Sequence, residues 1–237
     1  MVCHSTDPRD HRSRSGALLE VEGRTLLFDT PPELRLQLLA ARVRDVDAVL
    51  YTHEHADHIA GIDDLRVFSS RRGHPLPIHG PAETLHRIRT SYAYIFDDAV
   101  QPFEGTSKPM LAPGPLEPGV ETMVVGIPVL PLAVEHGYLR VFGYRIGAFA
   151  YITDAKLVAP DVREHLRGLE VLVLNALWWR PHPTHLSIPE AIAVAQEVGA
   201  TRTLLTHLTH ETGHAELAAA LPPGIEPAYD GLVVEVA

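Results

Sequence analysis

The stretch Thr52-His53-Glu54-His55-Ala56-Asp57-His58 places three histidines and an aspartate within six residues, directly after an apolar run at 46–51. Imidazole and carboxylate groups bind zinc, manganese and iron, and core packing does not require them at this density. If the chain leaves a strand here and turns into a helix, His53 and His55 share one face while the two later ligand residues point elsewhere. The spacing therefore predicts a site for two neighbouring metal ions, against the alternative of a polar loop with solvated histidines.

Such a centre needs more ligands, and the rest of the chain offers three candidates. His136, Asp154 and His207 each follow a strand-like apolar run. Ligands at the ends of successive strands converge at one edge of a sheet, where open α/β folds build their sites. Taken alone, each residue is more typical of a turn or a cap. Their equivalent placement favours shared metal binding.

Together these residues resemble the signature of the metallo-β-lactamase superfamily, which is His-x-His-x-Asp-His followed by a distant histidine, an aspartate and a last histidine. The resemblance covers nearly the whole chain and implies an α/β fold, a four-layer αββα sandwich of two sheets face to face with helices outside. It also implies two groups of metal ligands and one bridging residue, namely His53, His55 and His136 for one ion, Asp57, His58 and His207 for the other, and Asp154 between them.

Asp29 ends the strand-like run 25–28 and resembles the early aspartate of the family, which orients a metal ligand without binding the metal itself. An ordinary helix cap before Pro31-Pro32 is the alternative for Asp29, and the two roles are compatible.

Length and composition predict one domain over residues 1–237, because 46% hydrophobic content supports a substantial core. No apolar run is long enough to cross a bilayer, and the first residues lack the features of a secretion signal, so we expect a cytoplasmic protein. The single cysteine excludes an intramolecular disulfide framework.

The net charge of −10 makes long nucleic acid an unlikely partner, because binding it normally needs a basic surface. Most arginines are interpreted as solvated surface residues. The cluster Arg66, Arg71 and Arg72 follows the metal motif and is the best candidate for phosphate contact, Arg66 above all.

Apolar periodicity predicts alternating strands and helices, with a hairpin at Glu22-Gly23 and a proline- and glycine-rich loop over the site at Pro102 to Gly119. The predicted helices lie at 32–42, 59–66, 81–92, 189–198 and 211–221. The predicted strands lie at 17–22, 24–29, 45–51, 76–79, 121–125, 129–134, 139–146, 149–153, 171–174, 202–206 and 232–236.

Two metal ions a few Å apart lower the pKa of a shared water to about 7 and clamp the oxygens of a displacement, which predicts hydrolysis of an ester-like bond. Asp57 is placed to hold or receive the proton of that water. No serine or cysteine nucleophile is evident, and Cys3 is too terminal to support one.

The segment Trp178 to Ser187 is the best indicator of the substrate. A histidine followed by a serine opens a helix here, so His185 could donate a proton to a leaving alkoxide and Ser187 could contact a phosphate. Surface histidines that cap a helix are the alternative, and His182 is the less favoured acid.

The layout resembles one branch of the superfamily, the phosphodiesterases that open cyclic ribose phosphates, with the tRNA 3′-end endonucleases nearby. That resemblance implies a small phosphate ester as substrate, two ions of zinc or manganese, and His185 as the general acid. A tRNA 3′-processing nuclease, a thioesterase or lactonase, and a non-catalytic metal-binding domain remain as alternatives. The nuclease would need a basic docking arm that the chain does not show.

The start of the chain departs from this branch, whose members begin with a strand and a cysteine set that holds a structural zinc. Only Cys3 and His210 match that zinc site, so we expect it to be absent or completed by another molecule. His210 is better interpreted as a helix-start residue. The apparent loss of the first strand leaves a sheet edge that a homodimer or the N-terminal arm could cover.

Overall fold

The structure is a computed structural model that describes residues 2–236. The chain forms two compact units, a first unit of Arg14–Ile127 and a second unit of Met1–Ser13 with Pro128–Ala237. The strands lie in two β-sheets with helices between them in sequence, which confirms the predicted α/β fold with two sheets. The single-domain organisation stays a prediction.

The first unit is built on five strands, β1 (Ala17–Val21), β2 (Arg24–Phe28), β3 (Ala48–Leu50), β4 (Leu76–Gly80) and β5 (Leu111–Pro115). They lie in sequence order across the sheet. β1 and β2 form the predicted antiparallel hairpin, and all the other pairs are parallel. The buried core of this unit includes Tyr51, Ile62 and Ile78.

The helices of this unit are α1 (Leu34–Ala40), α2 (Ala56–Ile59), α3 (Arg66–Arg72), α4 (Ala82–Ser91) and α5 (Ala93–Phe96). The single helix predicted at 59–66 is wrong, because α2 ends at Ile59 and a 3-10 turn at Ile62–Leu65 separates it from α3. The extended loop predicted at 102–119 is also corrected, since β5 forms inside it. As the last strand of the sheet, β5 pairs on one side only and therefore tolerates Pro113 and Pro115.

After the short strand β6 (Thr122–Val124), the second unit contains β7 (Ile127–His136), β8 (Leu139–Ile146), β9 (Phe149–Ile152), β10 (Val171–Asn175), β11 (Arg202–Thr206) and β12 (Ile225–Pro227). These six belong to a seven-stranded sheet and lie in the order β12-β11-β10-β9-β8-β7. β7, β8 and β9 form the predicted antiparallel meander, and β9 to β12 are parallel. The carboxyl ends of β9, β10 and β11 therefore lie at the same edge of the sheet.

The helices of the second unit are α6 (Pro160–His165), α7 (Ile188–Val198) and α8 (His214–Ala220). The strand predicted at 232–236 does not form, although its apolar residues suit a strand. Val233 is exposed, and strand propensity without a partner does not make a sheet. Among the described residues, no helix has both the length and the apolar character needed to cross a membrane.

Candidate metal centre

The signature segment leaves the carboxyl end of β3 and enters α2, as predicted, with His55 as the residue that precedes the helix. His53 is buried, and its Nε2 lies 2.9 Å from Nδ1 of His55. The rings of His53 and His58 are 4.2 Å apart between centroids. A neutral imidazole carries one lone-pair nitrogen, so converging ring nitrogens suit a shared cation as well as a shared proton. The donor set in this unit therefore fits a divalent metal ion.

Asp29 lies directly behind this segment and is fully buried. Its Oδ2 is 2.8 Å from Nδ1 of His58, and both of its oxygens accept hydrogen bonds from Thr52, at 2.7 Å from the backbone nitrogen and 2.9 Å from Oγ1. A carboxylate that accepts a hydrogen bond from Nδ1 fixes the orientation of the His58 ring. The lone pair of the neutral ring then lies on Nε2. Burial raises the pKa of Asp29, and the contacts with His58 and Thr52 oppose that shift. Asp29 does not cap α1, because the residue before that helix is Glu33.

Thr30, the residue after Asp29, is hydrogen-bonded to His58 of α2 and to Gly61 beyond the end of that helix. The Thr30 nitrogen donates to the carbonyl of His58 at 2.7 Å, and the Gly61 nitrogen donates to the carbonyl of Thr30 at 2.8 Å. A Cβ at position 61 would lie 2.2 Å from the carbonyl oxygen of Pro31, so only glycine permits this approach. The position of His58 relative to Asp29 is therefore fixed by the backbone.

The second unit brings its three predicted ligands together around one carboxylate. Oδ2 of Asp154 lies 3.9 Å from Nε2 of His136, and Oδ1 lies 3.4 Å from Nε2 of His207. Asp154 is buried, and Thr153 donates from Oγ1 to its Oδ1 at 2.7 Å. Nδ1 of His136 contacts the carbonyl of Thr184 at 2.8 Å, which directs Nε2 towards the carboxylate. This arrangement of imidazole and carboxylate donors also fits a divalent metal ion.

His185 joins the same group. Its Nε2 lies 3.2 Å from Oδ2 of Asp154, and its ring centroid lies 4.9 Å from that of His207. Its Nδ1 contacts Oγ1 of Thr184 at 2.9 Å and Nδ1 of His182 at 3.2 Å. Asp154, His185 and His207 form one of the groups of side chains with converging ligand atoms. Burial lowers the pKa of His182, and the neighbouring His185 lowers it further.

Three residues of these clusters have a left-handed backbone, with φ of 61° at Asp29, 57° at Asp154 and 59° at His207. Residues other than glycine rarely adopt this conformation, and such strain clusters at functional sites. Each of the three follows a strand, so the chain turns sharply and presents the side chain at the sheet edge. At these three positions the unusual backbone conformation coincides with the side-chain chemistry.

Sequence reasoning missed two residues that hold the ligand segments in place. Asn175, at the end of β10, accepts a hydrogen bond from the Ala155 nitrogen at 2.7 Å and donates to the Ala155 carbonyl at 3.0 Å. Glu54 accepts a hydrogen bond at 3.2 Å from Thr84, a buried residue of α4. The signal for Asn175 was its strand-end position, equivalent to the position before His207. For Glu54 the sequence gives no comparable signal.

The predicted phosphate contacts have other partners in the structure. Ser187 precedes α7 and forms a reciprocal capping box with Glu190. Arg66 pairs with Asp63 and donates to the carbonyl of Ser107 at 3.4 Å. Phosphate binding by Arg66 and Ser187 stays a prediction.

The N-terminal arm contacts the segment after His207. Arg12 donates to the carbonyls of Thr209 at 2.7 Å and Thr212 at 3.2 Å, and Asp10 accepts from the His214 nitrogen at 2.6 Å. Cys3 and His210 are both exposed and belong to none of the ligand groups found among residues 2–236.

Comparison with known proteins identifies the family. The profile described as the β-lactamase superfamily domain matches residues 24–208. The chain belongs to the metallo-β-lactamase superfamily. The superfamily is metal-dependent, which agrees with the donor sets of both units, and the two-sheet fold matches that of its solved members.

Three similar proteins bear on the function. The crystal structure of a diphosphatase from the PhnP family is 34% identical, covers 100% of this chain and 90% of its own, and superimposes with a TM-score of 0.89. A ribonuclease Z from Methanopyrus kandleri is 26% identical over 277 residues, covering 97% of this chain and 94% of its own. An octanoyltransferase from Porphyromonas gingivalis is 37% identical over 234 residues, or 98% of this chain. The chain spans only 46% of the length of that octanoyltransferase.

Proposed function

We propose that the protein is a metal-dependent phosphodiesterase that cleaves a small phosphate diester. The observation that carries the proposal is the Asp154 carboxylate with imidazole nitrogens of His136, His185 and His207 at both of its oxygens. A buried carboxylate surrounded by imidazoles is the donor chemistry of a catalytic divalent ion.

We assign two ions of zinc or manganese to this protein. By the superfamily signature, His53, His55 and His136 would hold one ion, Asp57, His58 and His207 would hold the other, and Asp154 would be a ligand of both. When bound, such ions would lower the pKa of a water and offset the negative charge of a phosphate diester.

The protein's own residues supply orientation and proton transfer. Asp29 holds Nδ1 of His58, so the ring presents Nε2. Asp57 is partly exposed on α2, where its carboxylate can receive the proton of the attacking water. His185 presents Nε2 beside Asp154, where it can donate a proton to the departing oxygen.

The relatives support a phosphate ester more than a carboxylic ester. The PhnP-family diphosphatase is named for a diphosphate substrate and ribonuclease Z for RNA, so both names refer to cleavage of a P–O bond, and both proteins match nearly the whole chain. More than half of the octanoyltransferase lies outside the match, so acyl transfer is not assigned here. The net charge of −10 favours a small substrate over a long nucleic acid. A homodimer stays a prediction.

A hydrolysis panel tests the function. We expect the protein loaded with manganese or zinc to cleave bis(p-nitrophenyl) phosphate and a cyclic nucleotide, and we expect Asp57→Ala to abolish both activities. An octanoyl thioester and a precursor tRNA are the competing substrates. The assignment would be overturned if the protein rapidly cleaved the thioester or the tRNA and cleaved neither diester.

A further inference from the structure

Arg14 is a cation that the first unit places beside the signature segment. Its Nη1 lies 3.7 Å from Oδ2 of Asp57. The Arg14 side chain is 59% exposed and that of Asp57 is 29% exposed, so the pair lies at an open surface. Because Asp57 is a proposed ligand, a phosphate at the proposed metal centre would lie within reach of this guanidinium.

The backbone of Arg14 is held while its guanidinium is available. The Arg14 nitrogen donates to Oε2 of Glu33 at 3.3 Å, and Nε2 of Gln37 donates to the Arg14 carbonyl at 2.8 Å. The contact with Asp57 is too long for a hydrogen bond, and among residues 2–236 no hydrogen bond from the Arg14 guanidinium is described. Its donors are therefore available to a ligand.

Arg66 differs from Arg14 because its guanidinium already has partners within the protein. It follows the same signature segment but already pairs with Asp63 and donates to the Ser107 carbonyl. An exposed ion pair such as Arg14 with Asp57 contributes little stability, so redirecting Arg14 to a substrate costs little.

We propose that Arg14 binds the non-bridging oxygens of the substrate phosphate and so selects an anionic phosphate diester over a neutral ester. A guanidinium matches two phosphate oxygens with two parallel N–H donors, which a neutral carboxylic ester cannot accept in the same way. This inference rests on the proposed phosphodiesterase function and names the residue that makes it specific for phosphate.

The test compares Arg14→Met and Arg14→Lys with Arg24→Met as a matched control. Arg24 is another exposed arginine of the first unit and pairs with Asp47 at 3.4 Å. We expect Arg14→Met to raise KM for bis(p-nitrophenyl) phosphate about tenfold with kcat nearly unchanged, and Arg14→Lys to lie in between. Hydrolysis of neutral p-nitrophenyl acetate should not change, and Arg24→Met should match the wild type throughout.

Binding of inorganic phosphate to the metal-loaded protein, measured by calorimetry, gives a readout that does not depend on turnover. We expect Arg14→Met to weaken phosphate binding about tenfold at unchanged metal content. Equal phosphate affinity in Arg14→Met and Arg24→Met would overturn the role of Arg14, even if the diester is cleaved. If the wild type cleaves no diester, the proposed function fails, and the phosphate titration still decides the inference on Arg14.

Discussion

The two units present their candidate ligands in opposite ways. In the first unit, one short segment that leaves β3 and continues into α2 carries His53, His55, Asp57 and His58. In the second unit, His136, Asp154 and His207 lie at the ends of three strands, far apart in sequence. The first arrangement depends on local backbone geometry, whereas the second depends on the order and pairing of strands. The two ligand sets should therefore respond differently to mutation.

The largest expected effect concerns the second unit, where His185 contacts Asp154. We expect His185→Gln to slow cleavage of a diester with a poor leaving group about a hundredfold or more, and to slow nitrophenolate release much less, because a good leaving group needs no general acid. His165→Gln, on the exposed face of α6, is the control. Equal losses with both leaving groups would remove His185 from the acid role.

Asp29→Asn tests the local arrangement of the first unit, because it removes the carboxylate that contacts Nδ1 of His58. We expect metal affinity to fall about 10- to 100-fold, as for other groups that orient a metal ligand. Titration with zinc followed by metal analysis measures the loss. Asp64→Asn makes the same charge change away from the segment, so an equal loss there would point to a general charge effect.

Asn175→Leu tests whether the second unit depends on long-range pairing. It removes both hydrogen bonds to Ala155, next to Asp154, and leaves a buried donor and acceptor unpaired. We expect a loss of about 2–3 kcal/mol in the free energy of unfolding, measured by denaturant titration of the metal-free protein. Gln196→Leu, an amide replaced on the exposed face of α7, should leave stability nearly unchanged. Unaltered stability in Asn175→Leu would show that Asp154 is held in another way.

The smallest effect is the pH dependence contributed by His79, a first-unit histidine outside the ligand set. Burial lowers the pKa of His79 below its usual value of 6.5, against the opposing contact with the Gly114 carbonyl. The unfolded chain therefore binds a proton more readily, and stability falls as pH decreases from about 6.5 through the lower folded pKa.

In His79→Asn this part of the acid sensitivity should disappear, which denaturant titrations at about pH 7.5 and about pH 5.5 measure. The exposed His74 provides the matched variant His74→Asn. A His79→Asn protein that loses as much stability on acidification as the wild type would contradict this account.

The sequence predicted those parts of the site that local spacing encodes. The segment 52–58 follows a strand and enters a helix as expected, and each strand-end ligand of the second unit lies where its apolar run indicated. Asn175 was missed as a support, because the spatial neighbour of Ala155 depends on the parallel pairing of β9 with β10. Glu54 was missed because its partner Thr84 lies on α4, 30 residues away.

The errors in the predicted secondary structure have the same origin. β5 contains Pro113 and Pro115, which argue against a strand unless the strand lies at a sheet edge, and edge position is a property of the whole sheet. The predicted strand at 232–236 has suitable composition but no partner. Neither fact can be deduced from a local window of sequence.

The segment between Asn175 and Ser187 is held by hydrogen bonds at both of its ends. Asn175 is fixed by its two bonds to Ala155, and Ser187 by its capping box with Glu190. We expect substitutions at the exposed positions between these two residues to leave β10 and α7 intact, and the same stretch carries His185. Libraries randomised at those exposed positions, with Asn175, Ser187, Thr184 and His185 kept, are therefore the place to select enzymes that accept new leaving groups.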